Sequence, residues 1–449
     1  MISRGLIRTD DIGFDFNFAS EKKTHMFKNH KVNIQKVLSL IPDDLLSRLS
    51  HDTKVDYCAK VLYGSRIFNL LLYGILTTDR TSQRTLEDLF KSDLFKNMFC
   101  YEPGMKVSRS SISTRLSNIN CDFFRLAYEH IYAEFSRCFS KEEQLKYKVV
   151  RVDSSMVAET CNKLKQGIAP GDKKSKDPNK VVKQAKYTMA FDGLTACDLK
   201  IFTEPSFTSE DRAIPEVVKQ NANKEGSTLN IYTFDRGVSS SQTFSSFNDN
   251  QIHFVGRLKT NRKFQIVSQD IVTETSNDLG ELTLISSQIV NLYNHEERHF
   301  DEGNQYRLIV AERKNKIDTT PPENKGKFKK KENVFYFISN NLELSPKEIA
   351  DIYKQRWDIE VFFRFIKQEL NASHFLSVSE NGIKVMLYMT LIASMLLLMY
   401  KKLNDLGYKT AKRRFTMELW ESLVVIIIKE CGGDPSLMNQ AYFRQFTIP

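Results

Sequence analysis

The sequence predicts an α/β protein built on a mixed sheet, with a helical region ahead of it and a β-rich segment inserted within it. Three observations carry this prediction. Up to about residue 145, apolar residues recur at three- and four-residue spacing. From Tyr147 they gather into short runs bounded by turn residues, as strands do. Beyond Ser345 the helical spacing returns.

In the first region, VNIQKVLSLI, AKVLYGSRIFNLLLYGIL and DFFRLAYEHIYAEFSRCF have helical periodicity. Between them RTLEDLFKSDLFKNMF, the turn-rich CYEPGMKV and SRSSISTRLSNI take the form of a helix-turn-helix. A helix opening on Ser108, Arg109, Ser110 and Ser111 offers donors to phosphates or base edges. It equally suits an ordinary Ser-capped helix in a bundle. YKVVRVDSS then reads as a strand ending in Asp153. A basic, Gly/Pro-containing loop, KLKQGIAPGDKKSKDPNK, leads into KQAKYTMAFDGLTACDLKIFT, a hairpin joined around Asp192-Gly193. LNIYTFDRG is a strand ending in Asp235, and QIHFVGRLK follows as another after a short helix. A hairpin followed by β-α-β, with acids at strand ends, is the order of a ribonuclease-H-like core.

Past Lys263, LGELTLISSQIV, YRLIVAERKN and NVFYFISNN read as strands broken by the basic loop NKGKFKKKEN, and are taken as a β-rich insertion. SPKEIADIYKQRW then opens a helix with a capping box, Ser345 as N-cap, Pro346 first and Glu348 third. The most apolar stretch, Val385 to Tyr400, runs about 16 residues without a charge, short of the roughly 20 that a membrane span needs. It is read as a buried core helix, with a span as the alternative. FTMELWESLVVIIIKE adds a last helix.

Lys and Arg total 65 against 55 acids, a net charge of +10, which favours a polyanionic partner, most simply nucleic acid. Many soluble proteins are modestly basic as well. The 7 cysteines are scattered, with no C-x-x-C pair, so neither a zinc ribbon nor a disulfide framework is expected and a reducing cytoplasm fits. MISRGLIRTDDIGFDF has no apolar core followed by a cleavage site, so no secretory signal is expected.

The most telling spacing is that of Tyr353, Arg356, Glu360 and Lys367 in IADIYKQRWDIEVFFRFIKQEL. On one continuous helix these four fall within a sector of roughly 60°. Ile352, Ile359, Phe362, Phe365, Ile366 and Leu370 lie on the other side. A carboxylate framed by a phenol, a guanidinium and an ammonium suits a phosphate substrate held beside a metal ion. By spacing alone, an amphipathic surface helix with i,i+4 and i,i+7 ion pairs accounts for the pattern more simply.

YKQRWDIEVFFRFIKQEL resembles, at every signature position, the Y-(2)-R-(3)-E-(6)-K signature of bacterial insertion-sequence transposases of the DDE class. The resemblance implies that Glu360 is the third metal-binding acid, and that Tyr353, Arg356 and Lys367 grip phosphates at the transposon end. Asp153 in VVRVDSS and Asp235 in YTFDRG resemble the first and second catalytic aspartates of the same family, the DRG triplet matching well. Three carboxylates around one point repel unless cations neutralise them, so their convergence implies divalent metal. All-oxygen ligation points to Mg2+, with Mn2+ able to substitute. Two such ions flanking a scissile phosphate would activate a water or 3′-hydroxyl and stabilise the leaving oxygen.

Rival acids have simpler explanations. Asp192 belongs to the hairpin turn, Glu210 and Asp211 can cap the following helix, and Glu159 and Asp198 have no context that favours a metal. Arg257 and Lys259 alternate along FVGRLKT, so they share a strand face, and the resemblance implies contacts to the transposon end. A charged edge strand is the alternative. Trp357, about 60° off the catalytic face, can stack on an unpaired base or pack under the insertion. Lys186 is a candidate contact to the DNA backbone.

The resemblance runs from about residue 35 to 405. It implies a DNA transposase that cleaves the ends of an insertion sequence and joins the 3′ ends to target DNA, a cut-and-paste, two-metal phosphoryl transfer. Its partners would be double-stranded DNA, at transposon ends and target, and a second copy in a paired-end homodimer, with no membrane. A ribonuclease-H-like nuclease or resolvase without strand transfer, or an inactive DNA-binding derivative, are the alternatives. The expected divisions are a helical DNA-binding domain 1–145, a catalytic core in two parts, 146–262 and 339–407, the insertion 263–338, and a C-terminal helical region 408–449.

Overall fold

The computed structural model describes residues 31–42, 44–139, 148–157, 167–168, 184–224, 229–272, 277–314, 333–373 and 375–434. Glu159 and nearly all of the two basic loops around 163–180 and 324–333 lie outside them. The helices α1 (Ile34–Leu38), α2 (Leu45–Thr53), α3 (Gly64–Thr77), α4 (Gln83–Lys91), α5 (Asp93–Met98), α6 (Arg109–Asn118) and α7 (Cys121–Phe139) come first. Then follow β1 (Lys148–Val157), β2 (Ala185–Phe191), β3 (Ala196–Phe202), α8 (Glu210–Ala222), β4 (Asn230–Thr233), α9 (Ser241–Asp249) and β5 (His253–Leu258). β6 (Phe264–Gln269), β7 (Leu282–Asn294), β8 (His299–Arg313) and β9 (Val334–Ser339) continue the chain. It closes on α10 (Pro346–Gln355), α11 (Trp357–Glu369), α12 (Glu380–Leu403) and α13 (Tyr408–Glu430).

The chain divides into two compact units, Met1–Glu142 with Phe365–Pro449, and Glu143–Arg364. The first is helical. Its centre is α12, apolar on every side and buried along most of its length, with α3, α6, α7 and α13 packed around it. A helix hydrophobic all round needs such cover, and this is the core helix expected at Val385 to Tyr400. By length and composition α12 could cross a membrane; within the protein its apolar stretch is 89% buried. The helix-turn-helix region departs from expectation in one respect. Its first helix is broken at Ser92 into α4 and α5, because Ser92 adopts an extended backbone and serves as N-cap of α5. The second helix begins as expected, with the Ser108 hydroxyl accepting the Ser111 N–H and Arg109, Ser110 and Ser111 exposed. Arg115 turns inward, donating to the carbonyls of Val55 and Leu62.

The second unit is a nine-stranded mixed sheet in the order β3-β2-β1-β4-β5-β9-β8-β7-β6. β1 and β4 pair in parallel, as do β4 and β5; the other neighbours are antiparallel. The strands of 263–338 therefore extend the same sheet, entering it where β9 pairs with β5. The β2–β3 hairpin turns at Asp192, whose Oδ1 accepts the N–H groups of Leu194 and Thr195, with Gly193 at φ +102°. Because side chains alternate across a strand, the two faces of this sheet separate cleanly. Ser154, Lys186 and Thr188 point to the face covered by α8. Tyr187 and Phe191 point to the other, where they meet Phe363 and Phe362 of α11. On that second face α10 seals a core of its own Ile349, Ala350 and Ile352 against Val149, Ile231, Val255, Ile309 and Phe337.

Candidate active site

Strand register brings the two aspartates together. Arg151 of β1 and Thr233 of β4 are the last paired positions of two neighbouring parallel strands. Asp153 and Asp235 each stand two residues further along, so they leave the sheet at the same level and toward the same face. Past that level β1 stays paired only to β2, while the β4 chain turns off through Asp235-Arg236-Gly237. Each carboxylate is oriented by a backbone N–H one residue on, Ser154 to Asp153 at 2.8 Å and Arg236 to Asp235 at 2.7 Å.

Over this pair lies the segment that carries the remaining signature residues. The single helix expected through this segment is two, α10 and α11, joined at Arg356. The Arg356 N–H reaches back only to the Tyr353 carbonyl, at 3.0 Å, a tighter turn than an α-helix makes. Beneath the joint, Arg151 reaches up from β1. Its Nε donates to the Gln355 carbonyl at 3.2 Å, and its Nη2 to Gln355 Oε1 at 2.6 Å and Asp358 Oδ2 at 3.1 Å. The chain stays right-handed through the joint, so Tyr353, Arg356 and Glu360 still share a side. Arg356 pairs with Glu360 at 2.6 Å and lies 5.8 Å from the centre of the Tyr353 ring. The Tyr353 hydroxyl points at Asp235 Oδ1, 3.5 Å away, and its ring packs on Phe337. Ile352, Ile359, Phe362, Phe365, Ile366 and Leu370 are all buried.

The electrostatics follow from this packing. Burial pushes the Asp153 carboxyl up to about 6; the Ser154 N–H and Arg356 oppose the rise, while Glu210 and Asp235 add to it. Burial disfavours the charged carboxylate, and neighbouring carboxylates disfavour it a little further. The donors of Asp153 and Asp235 are hard oxygens, which fit a divalent cation such as Mg2+ or Mn2+. Glu360 is turned to Arg356, and among the described residues no three His, Cys, Asp or Glu side chains stand close enough to share one ion.

The remaining candidates fall in varied settings. Lys367 lies on α11, half-buried, seven residues beyond Glu360. Trp357 opens α11 and is 52% exposed. Arg257 pairs across β5–β9 with Phe337 and places its guanidinium over the Phe335 ring, 4.6 Å from the centroid. β5 ends at Leu258, so Lys259 is exposed in the following turn and does not share a strand face with Arg257. Lys186 is no surface contact: its side chain is 3% exposed and its ammonium binds Glu210 at 2.8 Å and the Thr208 carbonyl at 3.0 Å. Glu210 also accepts the Ser154 hydroxyl at 2.7 Å and lies against Gly237, where an added Cβ would come within 2.8 Å of its side chain. Glu210 thus braces both aspartate-bearing segments, a role hidden in the sequence behind its position at the start of α8. Asp211 does not stay within α8; it accepts the N–H groups of Ser239 and Ser240 ahead of α9. Asp198 is buried against Lys224 and Gln220, away from these acids.

Comparison with known proteins gives a consistent picture. The family described as Transposase DDE domain matches residues 144–396, over half of the chain. A probable transposase for insertion sequence element IS5377 of Geobacillus stearothermophilus is 42% identical over 60 residues, 13% of this chain and 16% of the relative. A putative transposase for insertion sequence element IS4SA of Synechocystis is 28% identical over 116 residues, 21% of this chain and 34% of the relative. A putative transposase, y4zB, of Sinorhizobium fredii is 25% identical over 173 residues, 38% and 43% of the two chains. The matched segments thus span less than half the length of each relative. Among solved structures, the piggyBac transposase synaptic complex with hairpin DNA overlays with a TM-score of 0.46 at 12% identity, covering 91% of this chain and 84% of that one, a likeness too loose to bear on function.

Proposed function

The chain belongs to the Transposase DDE domain family, and from that premise we propose that it is a DNA transposase working through Asp153, Asp235 and Glu360. The observation that carries this reading is the register of β1 and β4, which sets two carboxylates side by side beneath Tyr353, Arg356 and Glu360. Asp153 and Asp235 would hold a divalent cation, with Glu360 completing the ligand set. Such a cation lowers the pKa of an attacking water or 3′-hydroxyl and offsets charge on the leaving oxygen.

The rest is work for the chain's own side chains. Arg356 is the natural partner of a DNA phosphate, since a guanidinium binds phosphate as readily as carboxylate. When Arg356 takes a phosphate, Glu360 becomes available to the aspartates. Tyr353, whose hydroxyl already reaches toward Asp235, orients the phosphate's other side, and Lys367 adds a point charge further along the helix. Arg257 and Lys259 extend the basic surface, and exposed Trp357 suits stacking on an unpaired base. In the helical unit, the exposed start of α6 suits recognition of the element's ends. We read 263–338 as the insertion into the core and two copies as acting on paired ends. Joining as well as cutting makes the reaction cut-and-paste.

The test is a duplex of the terminal repeats that flank the gene, incubated with the purified chain and Mg2+. Cleavage at the repeat end followed by joining of the 3′ end into a plasmid is the expected result. Cleavage without joining returns the chain to a nuclease, and binding without cleavage to an inactive derivative.

A further inference from the structure

Nothing in the chemistry above uses Arg151, yet it ties the strand that carries Asp153 to the helices that carry Tyr353 and Glu360. It sits on β1 two residues before Asp153 and on the same face. Its guanidinium is held at the joint of α10 and α11 by Gln355 and by Asp358, two residues before Glu360. The side chain is 8% exposed, and its remaining arm donates to the Val149 carbonyl at 2.7 Å. The placement suits both helices. The last carbonyls of α10 lack donors within the helix, and Arg151 supplies one. Asp358 lies in the first turn of α11, where an anion is favoured by the helix dipole, and Arg151 pairs with it. Room for the guanidinium comes from Gly193, where a Cβ would lie 2.8 Å from Nη1. A lysine could not replace this fork, since one ammonium cannot serve diverging acceptors in a plane.

We propose that Arg151 is a positioning residue: by gripping Gln355 and Asp358 from β1, it sets the height of Glu360 over Asp153. The inference rests on the reading of Asp153, Asp235 and Glu360 as the reacting acids. Geometry of this kind matters steeply, since a misplacement of about 1 Å costs on the order of 100-fold in rate.

Asp358 is half-exposed, so removing its charge leaves the fold intact and tests the joint without dismantling it. Asp358→Asn and Gln355→Ala should each lose about tenfold or more in cleavage turnover at saturating terminal-repeat duplex. The Kd for the duplex should stay within about twofold of wild type, and the melting temperature should barely move. Mn2+ affinity of the duplex-bound protein, read from the EPR signal of the free ion, should weaken in step, and Asp358→Glu should restore both readouts. Arg151→Lys should behave like the joint variants or worse. Wild-type turnover and Mn2+ affinity in both joint variants overturn the proposal. A turnover loss that merely follows weaker duplex binding and a lower melting temperature overturns it too. Asp153→Asn run alongside separates the two levels. If that variant cleaves, the reading of the active site has failed; if it is dead while the joint variants are normal, only the role of Arg151 has.

Discussion

Arg356 and Glu360 are joined by an ion pair of 2.6 Å, with their side chains only 13% and 32% exposed. In the proposed reaction one of them serves a phosphate and the other a cation. The pair therefore stands between the DNA-free protein and a complete set of acids, and must open for either partner to bind.

Arg356→Ala should consequently have opposite effects on the two ligands. Freed of its partner, Glu360 becomes available, and Mn2+ should bind the DNA-free protein up to about fivefold more tightly, the equivalent of about 1 kcal/mol for a pair of this exposure. Binding to a pre-cut end should weaken, and its log–log salt slope should flatten by about one unit. Lys367→Ala should flatten the slope similarly without changing Mn2+ affinity. Titrations of Mn2+ and of pre-cut duplex across a salt series check both. Unchanged slopes in both variants would return the helix to a structural ion-pair role.

Lys186→Met separates a buried structural cation from a DNA contact. Loss of the Lys186–Glu210 bond should lower stability by about 1–3 kcal/mol, because a buried, hydrogen-bonded charge is removed from its acceptors. Binding to a pre-cut end and its salt slope should match wild type. Chemical denaturation and the same salt series are the measurements, and a flattened slope would contradict the burial of Lys186.

The raised pKa of Asp153 makes a prediction about pH. In the folded chain its carboxyl keeps a proton up to about pH 6, whereas an unfolded Asp releases it near 3.8. Its contribution to stability is therefore full below about pH 4 and lost as pH rises through about 6. Asp153→Asn has no proton to lose and should gain about 1–3 kcal/mol relative to wild type between pH 4 and pH 8. Added Mg2+ should narrow that gap at pH 8 by stabilising wild type. Thermal melts at both pH values decide it; a gap independent of pH would mean that Asp153 ionises freely.

Much of this was legible in the sequence because local rules act there alone. The capping box at Ser345, the Asp192-Gly193 turn and the core helix at Val385 to Tyr400 follow from spacing and turn chemistry, and each is present. Even the i,i+4 pair expected of a plain amphipathic helix is there, between Arg356 and Glu360. What the sequence hid depends on residues far apart in the chain. The break at Arg356 has no Pro or Gly to announce it; it goes with Arg151, 204 residues upstream of the Gln355 carbonyl to which it donates. The bracing role of Glu210 was masked because an acid at a helix start already has a sufficient local reason. Lys186 follows a basic loop and looked exposed, but the strand pairing of β2 turns it under α8.

The central claim is tested most directly by Asp153→Asn, Asp235→Asn and Glu360→Gln, each assayed for binding and cleavage of the same terminal-repeat duplex. Each removes one acid and leaves the basic contacts that carry affinity. All three should bind the duplex as wild type does and cleave it slower by orders of magnitude in Mg2+. Wild-type cleavage by any one of them would contradict the assignment of these three acids.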